Sequence, residues 1–108
     1  MKQFLLCAVD EIAPATARRF DIDNHRIALV RLDDDFYAIG DTCSHADYSL
    51  SEGEVNTEER TLECWKHGSQ FSVDDGHPVS LPATRPVPVY KVHVEEGSVY
   101  VSIEVGDE

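Results

Sequence analysis

Positive charge is scarce in this sequence. Nine lysines and arginines stand against 21 aspartates and glutamates, for a net charge of −12. Such a chain repels nucleic acid, so that class of partner is excluded. The same charge serves solubility and could steer encounter with a basic partner protein. Long apolar runs are also missing, which excludes a membrane-spanning helix. The opening stretch MKQFLLCAVDEIAP meets Asp10 and Glu11 at once and has neither a secretory apolar core nor an arginine-rich transit pattern. The expectation is a soluble, cytoplasmic protein. Cysteine is limited to three residues, an odd number. A disulfide scaffold is therefore disfavoured, and metal or redox chemistry moves forward. Repeats, low-complexity tracts and a convincing helical period are all lacking.

What is present reads as β structure. Residues 3–7 form a first apolar run. Residues 17–22 and 25–32 flank Asp23-Asn24, a hairpin-type pair. Asp33-Asp34-Asp35 turns the chain into Phe36–Ile39. Tyr90, Val92 and Val94 alternate with Lys91 and His93, and after Glu95-Glu96-Gly97-Ser98 the alternation resumes at Val99, Val101, Ile103 and Val105. That pattern predicts a half-buried hairpin. A short helical turn is expected near Val9–Ala13, stopped by Pro14. The fold class expected is all-β, a small antiparallel sandwich or barrel in one domain, 1–108. Its base spans roughly 1–40 and 87–108. Residues 41–86, rich in Gly, Ser, Pro and acids, form an inserted, loop-rich subdomain organised by a metal centre.

That insert carries two short words, Cys43-Ser44-His45 and Cys64-Trp65-Lys66-His67. Each lets one tight loop present two ligands to one centre, so two loops clamp it from opposite sides. Zinc accepts two thiolates and two imidazoles, but zinc fingers usually place both cysteines in one word and both histidines in the other. Mixed words suit a two-iron cluster with divided duties, both thiolates on one iron and both imidazoles on the other, which is the Rieske ligand set. Neutral imidazole donates less negative charge than thiolate, so an added electron is easier to hold and the potential rises.

The pattern C-x-H, then C-x-x-H-G with Gly68, Phe71 and Gly76, resembles the Rieske family over nearly the whole chain, and within it the small ferredoxins of bacterial ring-hydroxylating dioxygenase systems. The resemblance implies a [2Fe–2S] cluster with Cys43 and Cys64 on the inner iron and His45 and His67 on the outer one. It implies a proline loop at Leu81-Pro82-Ala83. It places Tyr48 and Lys66 where high-potential relatives carry a disulfide, and Phe71 where they carry a tyrosine near a ligand sulfur, while Ser69 matches a hydroxyl donor. That combination implies the lower-potential ferredoxin class. It also implies a one-electron carrier rather than an enzyme, with a flavin-dependent ferredoxin reductase and a terminal non-heme iron oxygenase as partners, met transiently by a monomer. The alternative is a redox-sensing or iron–sulfur-assembly module. Trp65 is read either as packing on the cluster loop or as part of a docking patch. Cys7 is read as a buried, inert thiol, and His25, His77 and His93 as solvated side chains. Asp74-Asp75-Gly76 is read as a turn, and Glu52, Glu54, Glu58 and Glu59 as a solvated loop.

Overall fold

The computed structural model describes residues 2–22, 25–42, 49–65, 68–79 and 86–103. Nine strands run in chain order: β1 Lys2–Ala8, β2 Thr16–Ile22, β3 His25–Arg31, β4 Phe36–Gly40, β5 Val55–Asn56, β6 Thr61–Glu63, β7 Gln70–Ser72, β8 Val89–Glu95 and β9 Ser98–Ile103. Six of them form one sheet in the order β1-β9-β8-β4-β3-β2, and β5-β6-β7 form a second. Every pairing is antiparallel. The all-β reading holds.

β3 explains the layering. Its run Ile27-Ala28-Leu29-Val30 is wholly buried. Successive side chains on a strand point to opposite faces, so a strand without polar alternation must be covered twice. Ile27 and Leu29 join Cys7, Ile12, Phe36, Ala38, Val99, Val101 and Ile103 on one face. Ala28 and Val30 join Ile39, Leu50, Leu62, Cys64, Phe71, Val73 and Val87 on the other. The second core belongs to both sheets. The polar segment between β4 and β8 contributes Leu50, Leu62, Cys64, Phe71 and Val73, which complete a core against the back of β3 and β4. Each large aliphatic side chain buried there contributes about 1.5–3 kcal/mol.

Several expectations shift by a residue or two. The predicted helical turn is a short 3-10 turn, Val9–Glu11, closed by the Glu11 carboxylate accepting from the Ala8 N–H at 3.0 Å. Glu52, Glu54, Glu58 and Glu59 are exposed as expected, but the segment that carries them has regular structure. Leu50–Glu52 is a 3-10 turn and Val55–Asn56 pairs with Thr61 and Leu62, because Leu50 and Leu62 are drawn into the shared core. Val94 continues the alternation of β8 but is exposed. Asp74-Asp75-Gly76 is the turn expected, with Gly76 at φ +76°. Asp23-Asn24 lies outside the described residues, although the strands flanking it pair Ile22 with His25. No helix among the described residues is long and apolar enough to cross a membrane.

Candidate metal centre

The second cysteine word sits on the hairpin β6–β7. Glu63 pairs with Gln70 in the ladder, and Gln70 Nε2 donates to Glu63 Oε1 at 3.2 Å. Beyond that rung the chain makes a tight turn. The Cys64 N–H donates to the Ser69 carbonyl at 2.7 Å, and the Gly68 N–H donates to the Cys64 carbonyl at 2.9 Å. Gly68 stands at φ +78°, a conformation that favours glycine. Cys64 is fully buried in the core shared by the two sheets. Ser69 and Phe71 are buried beside it in sequence, whereas Trp65 is 49 % exposed.

The first word leaves the end of β4. Gly40 is held there by its N–H donating to the Pro88 carbonyl at 2.8 Å. Thr42 and Ser49 form a bridge across the ends of the loop between them. Asp41, 1 % exposed, sits under that bridge. Its Oδ1 accepts from the Ser51 N–H at 2.8 Å and its other oxygen accepts from the Ser49 hydroxyl. Sequence reasoning missed Asp41. The available signal was a charged residue continuing the buried strand Phe36–Gly40 directly into the cysteine word. A polar recess of about 270 Å³ lies between the two loop bases, lined by Arg19, Arg26, Asp41, Thr42, Ser49, Glu52 and Trp65. Flanks of both words therefore meet at one place.

Of the four candidate ligands, Cys64 is placed by the structure. Cys43, His45 and His67 lie outside the described residues, as do Tyr48, Lys66 and Leu81-Pro82-Ala83. Cys64 is in no disulfide among the described residues. A buried sulfur whose backbone is fixed on both sides suits a ligand that must not move when charge arrives, and the two-thiolate, two-imidazole donor set suits two unlike irons. The residues present fit a Rieske cluster.

The other histidines find ordinary partners. His77 lies 3.4 Å from Asp75 and His93 lies 3.0 Å from Glu95, both at the surface as expected. His25 differs: it is half-buried, edge-on to Tyr90, with Nδ1 3.3 Å from the Tyr90 hydroxyl, because β4–β8 pairing brings Tyr90 alongside the end of β3. Cys7 is buried as expected, and burial, followed by the nearby Glu11 carboxylate, pushes its thiol above the usual cysteine range.

Residues 2–91 match the model of the Rieske [2Fe-2S] domain. The chain belongs to that family. It is 42 % identical over 100 residues to ferredoxin CarAc of Metapseudomonas resinovorans, covering 92 % of each chain. Among solved structures it resembles the ferredoxin of carbazole 1,9a-dioxygenase from Nocardioides aromaticivorans IC177, with TM-score 0.93 and 32 % identity over 96 % of this chain and 100 % of that one. It also matches a chain in the complex of reduced oxygenase and oxidized ferredoxin in carbazole 1,9a-dioxygenase, with TM-score 0.85 and 41 % identity over 92 % of this chain and 100 % of that one. The protein is a Rieske ferredoxin, an electron carrier with a [2Fe–2S] cluster rather than a zinc protein or an oxygenase in its own right.

Proposed function

We propose that this ferredoxin serves a multicomponent ring-hydroxylating oxygenase, taking one electron from a flavin-dependent reductase and passing it to a terminal non-heme iron oxygenase. The observation that carries the reading is the near full-length similarity to ferredoxins of such systems, including one that forms a complex with its oxygenase. Cys43 and Cys64 hold the inner iron, and His45 and His67 the outer one. The cluster, when bound, supplies reversible uptake of one electron at a potential raised by its imidazole ligands.

The chain's own residues do the rest. Cys64 is locked by the turn through Gly68 and Ser69, so the sulfur keeps its place when the charge changes. Residues 41–86 act as the cluster-binding subdomain on the base formed by 1–40 and 87–108, and the shared core fixes one to the other. Trp65 presents apolar surface beside the polar recess and belongs to a docking patch. The net charge of −12 steers the encounter, and contact is brief, as a carrier that must also leave requires. The protein acts as a cytoplasmic monomer. The test is reconstitution. Product should form only when reductase, this protein and oxygenase are all present. Turnover at the full rate with reductase and oxygenase alone would remove the proposal.

A further inference from the structure

We propose that Asp41 is a positioning residue of the cluster centre: its carboxylate fixes the first ligand loop and, with Arg19 as counter-charge, sets the reduction potential. The inference rests on the cluster assignment above. Asp41 spans the two ends of the loop that carries Cys43 and His45. Its own N–H donates to the Arg26 carbonyl at 2.9 Å, and its carbonyl accepts from the Leu50 N–H at 2.6 Å. The side chain adds the bonds from the Ser51 N–H at 2.8 Å and from the Ser49 hydroxyl. Ser49 and Ser51 are themselves joined, Oγ to Oγ, at 2.9 Å. One residue thus holds the strand before the loop to the turn after it.

The Ser51 N–H needs an acceptor at Oδ1, while the Ser49 hydroxyl at Oδ2 can donate or accept. Asparagine can keep the first contact and donate in the second, so Asp41→Asn removes the charge with the loop contacts kept. A carboxylate in this position is costly unless it is hydrogen-bonded and paired. Both conditions are met, since Arg19 Nε lies 3.9 Å from Asp41 Oδ2. Arg19 also pairs with the exposed Asp21, at 2.9 and 3.0 Å. The charge on Asp41 lies two residues from Cys43 in the chain, near enough for its field to reach a group held by that cysteine. It opposes the arrival of an electron, and Arg19 offsets it.

The two charges therefore give opposite signs, which a purely structural role does not. Asp41→Asn should raise the midpoint potential and Arg19→Gln should lower it. Asp21→Asn, which removes an exposed charge, should move it less than Asp41→Asn does. The measurements are voltammetry, the electron paramagnetic resonance spectrum of dithionite-reduced protein, and iron and sulfide per chain. Ser49→Ala should broaden the reduced spectrum and Ser49→Thr should restore it. Loaded Asp41→Asn and Arg19→Gln proteins with the native potential, or with shifts of the same sign, would overturn the proposal. Where Asp41→Asn does not load, Arg19→Gln decides alone, and a potential at or above the native value overturns it. Native protein without iron would instead sink the cluster assignment, so the two failures are distinct.

Discussion

Gly53 lies against the backbone of Glu63, the residue that leads into Cys64. A Cβ built on Gly53 would stand 1.6 Å from the Glu63 carbonyl oxygen and 2.8 Å from its carbon. The approach is fixed from both sides, because the Gly53 N–H donates to Leu50 and the Glu63 N–H donates to Glu54. No flexible side chain is available to give way. Gly53→Ala must displace one backbone from the other, an overpacking cost of about 1–3 kcal/mol. For a domain of this size the melting temperature should fall by roughly 4–8 °C for each kcal/mol. Calorimetry of the iron-loaded protein checks this, and an unchanged melting temperature would refute the close approach.

A second link joins the sheets through Arg60. Its Nε and Nη2 donate to the two oxygens of Asp74 at 2.9 and 2.7 Å, and its guanidinium lies 4.9 Å from the centre of the Tyr37 ring on β4. The hydrogen bonds from Arg60 hold the Asp74 carboxyl below the usual carboxylate range. A depressed folded value means that the stabilisation is present above the unfolded value and is lost as pH falls through the folded one. Asp74→Asn should therefore lower the melting temperature at pH 7 and flatten its decline under acid. Both side chains are near half-exposed, so the effect is small and fades with salt. Melting curves from pH 7 to 3, at low and high salt, test it. An undiminished acid decline in Asp74→Asn would show that the pair contributes nothing.

These details mark how far the sequence could be read. The apolar run of β3 and the alternation of β8 and β9 announced the larger sheet, because seven- and six-residue strands are long enough to show a run or a period. The two cysteine words pointed to the family and its cluster, because ligand spacing is a local property, while Cys43, His45 and His67 lie outside the described residues. The small sheet was not legible. Strands of two or three residues are too short to alternate, and Leu62 and Phe71 are buried in a core that includes Val30 and Ile39, distant in the chain. Asp41 was hidden for the same reason. Its partners Ser49, Ser51 and Arg19 arrive through loop closure and sheet pairing, and isolated acids on a polar chain look alike. His25 was misread because Tyr90 reaches it only across β4 and β8.

Cys7 gives a prediction about reactivity. Burial raises its thiol above the usual range, the Glu11 carboxylate adds to this, and Arg18 opposes it. The thiolate is the reactive form, so folded protein should be alkylated at Cys7 far more slowly than unfolded protein at pH 8. A raised folded value also means that this contribution to stability is complete below the unfolded value of about 8.5 and is lost as pH rises through the folded one. Cys7→Ala should therefore flatten the alkaline limb of the stability curve while leaving iron content unchanged. Loss of iron in that variant would contradict the assignment of Cys7 to packing. Mass spectrometry after timed alkylation, with metal analysis, makes both measurements.

Phe71 offers the sharpest test of how the protein sets its potential. It is fully buried, pairs with Leu62 across β6–β7 and packs in the same core as Cys64. Phenylalanine cannot donate a hydrogen bond, whereas a tyrosine there adds one hydroxyl to the same ring. A donor aimed at a ligand sulfur spreads its negative charge and eases reduction. A hydrogen bond with a net worth of about 1 kcal/mol corresponds to a rise on the order of 40 mV for one electron. Phe71→Tyr should therefore raise the potential by tens of millivolts by that same conversion, with the iron content intact. Without a partner the buried hydroxyl should instead lower stability by about 1–3 kcal/mol. Voltammetry and thermal melting on one sample separate the two results. A potential at the native value together with a lower melting temperature would show that residue 71 packs on the core without facing the sulfur.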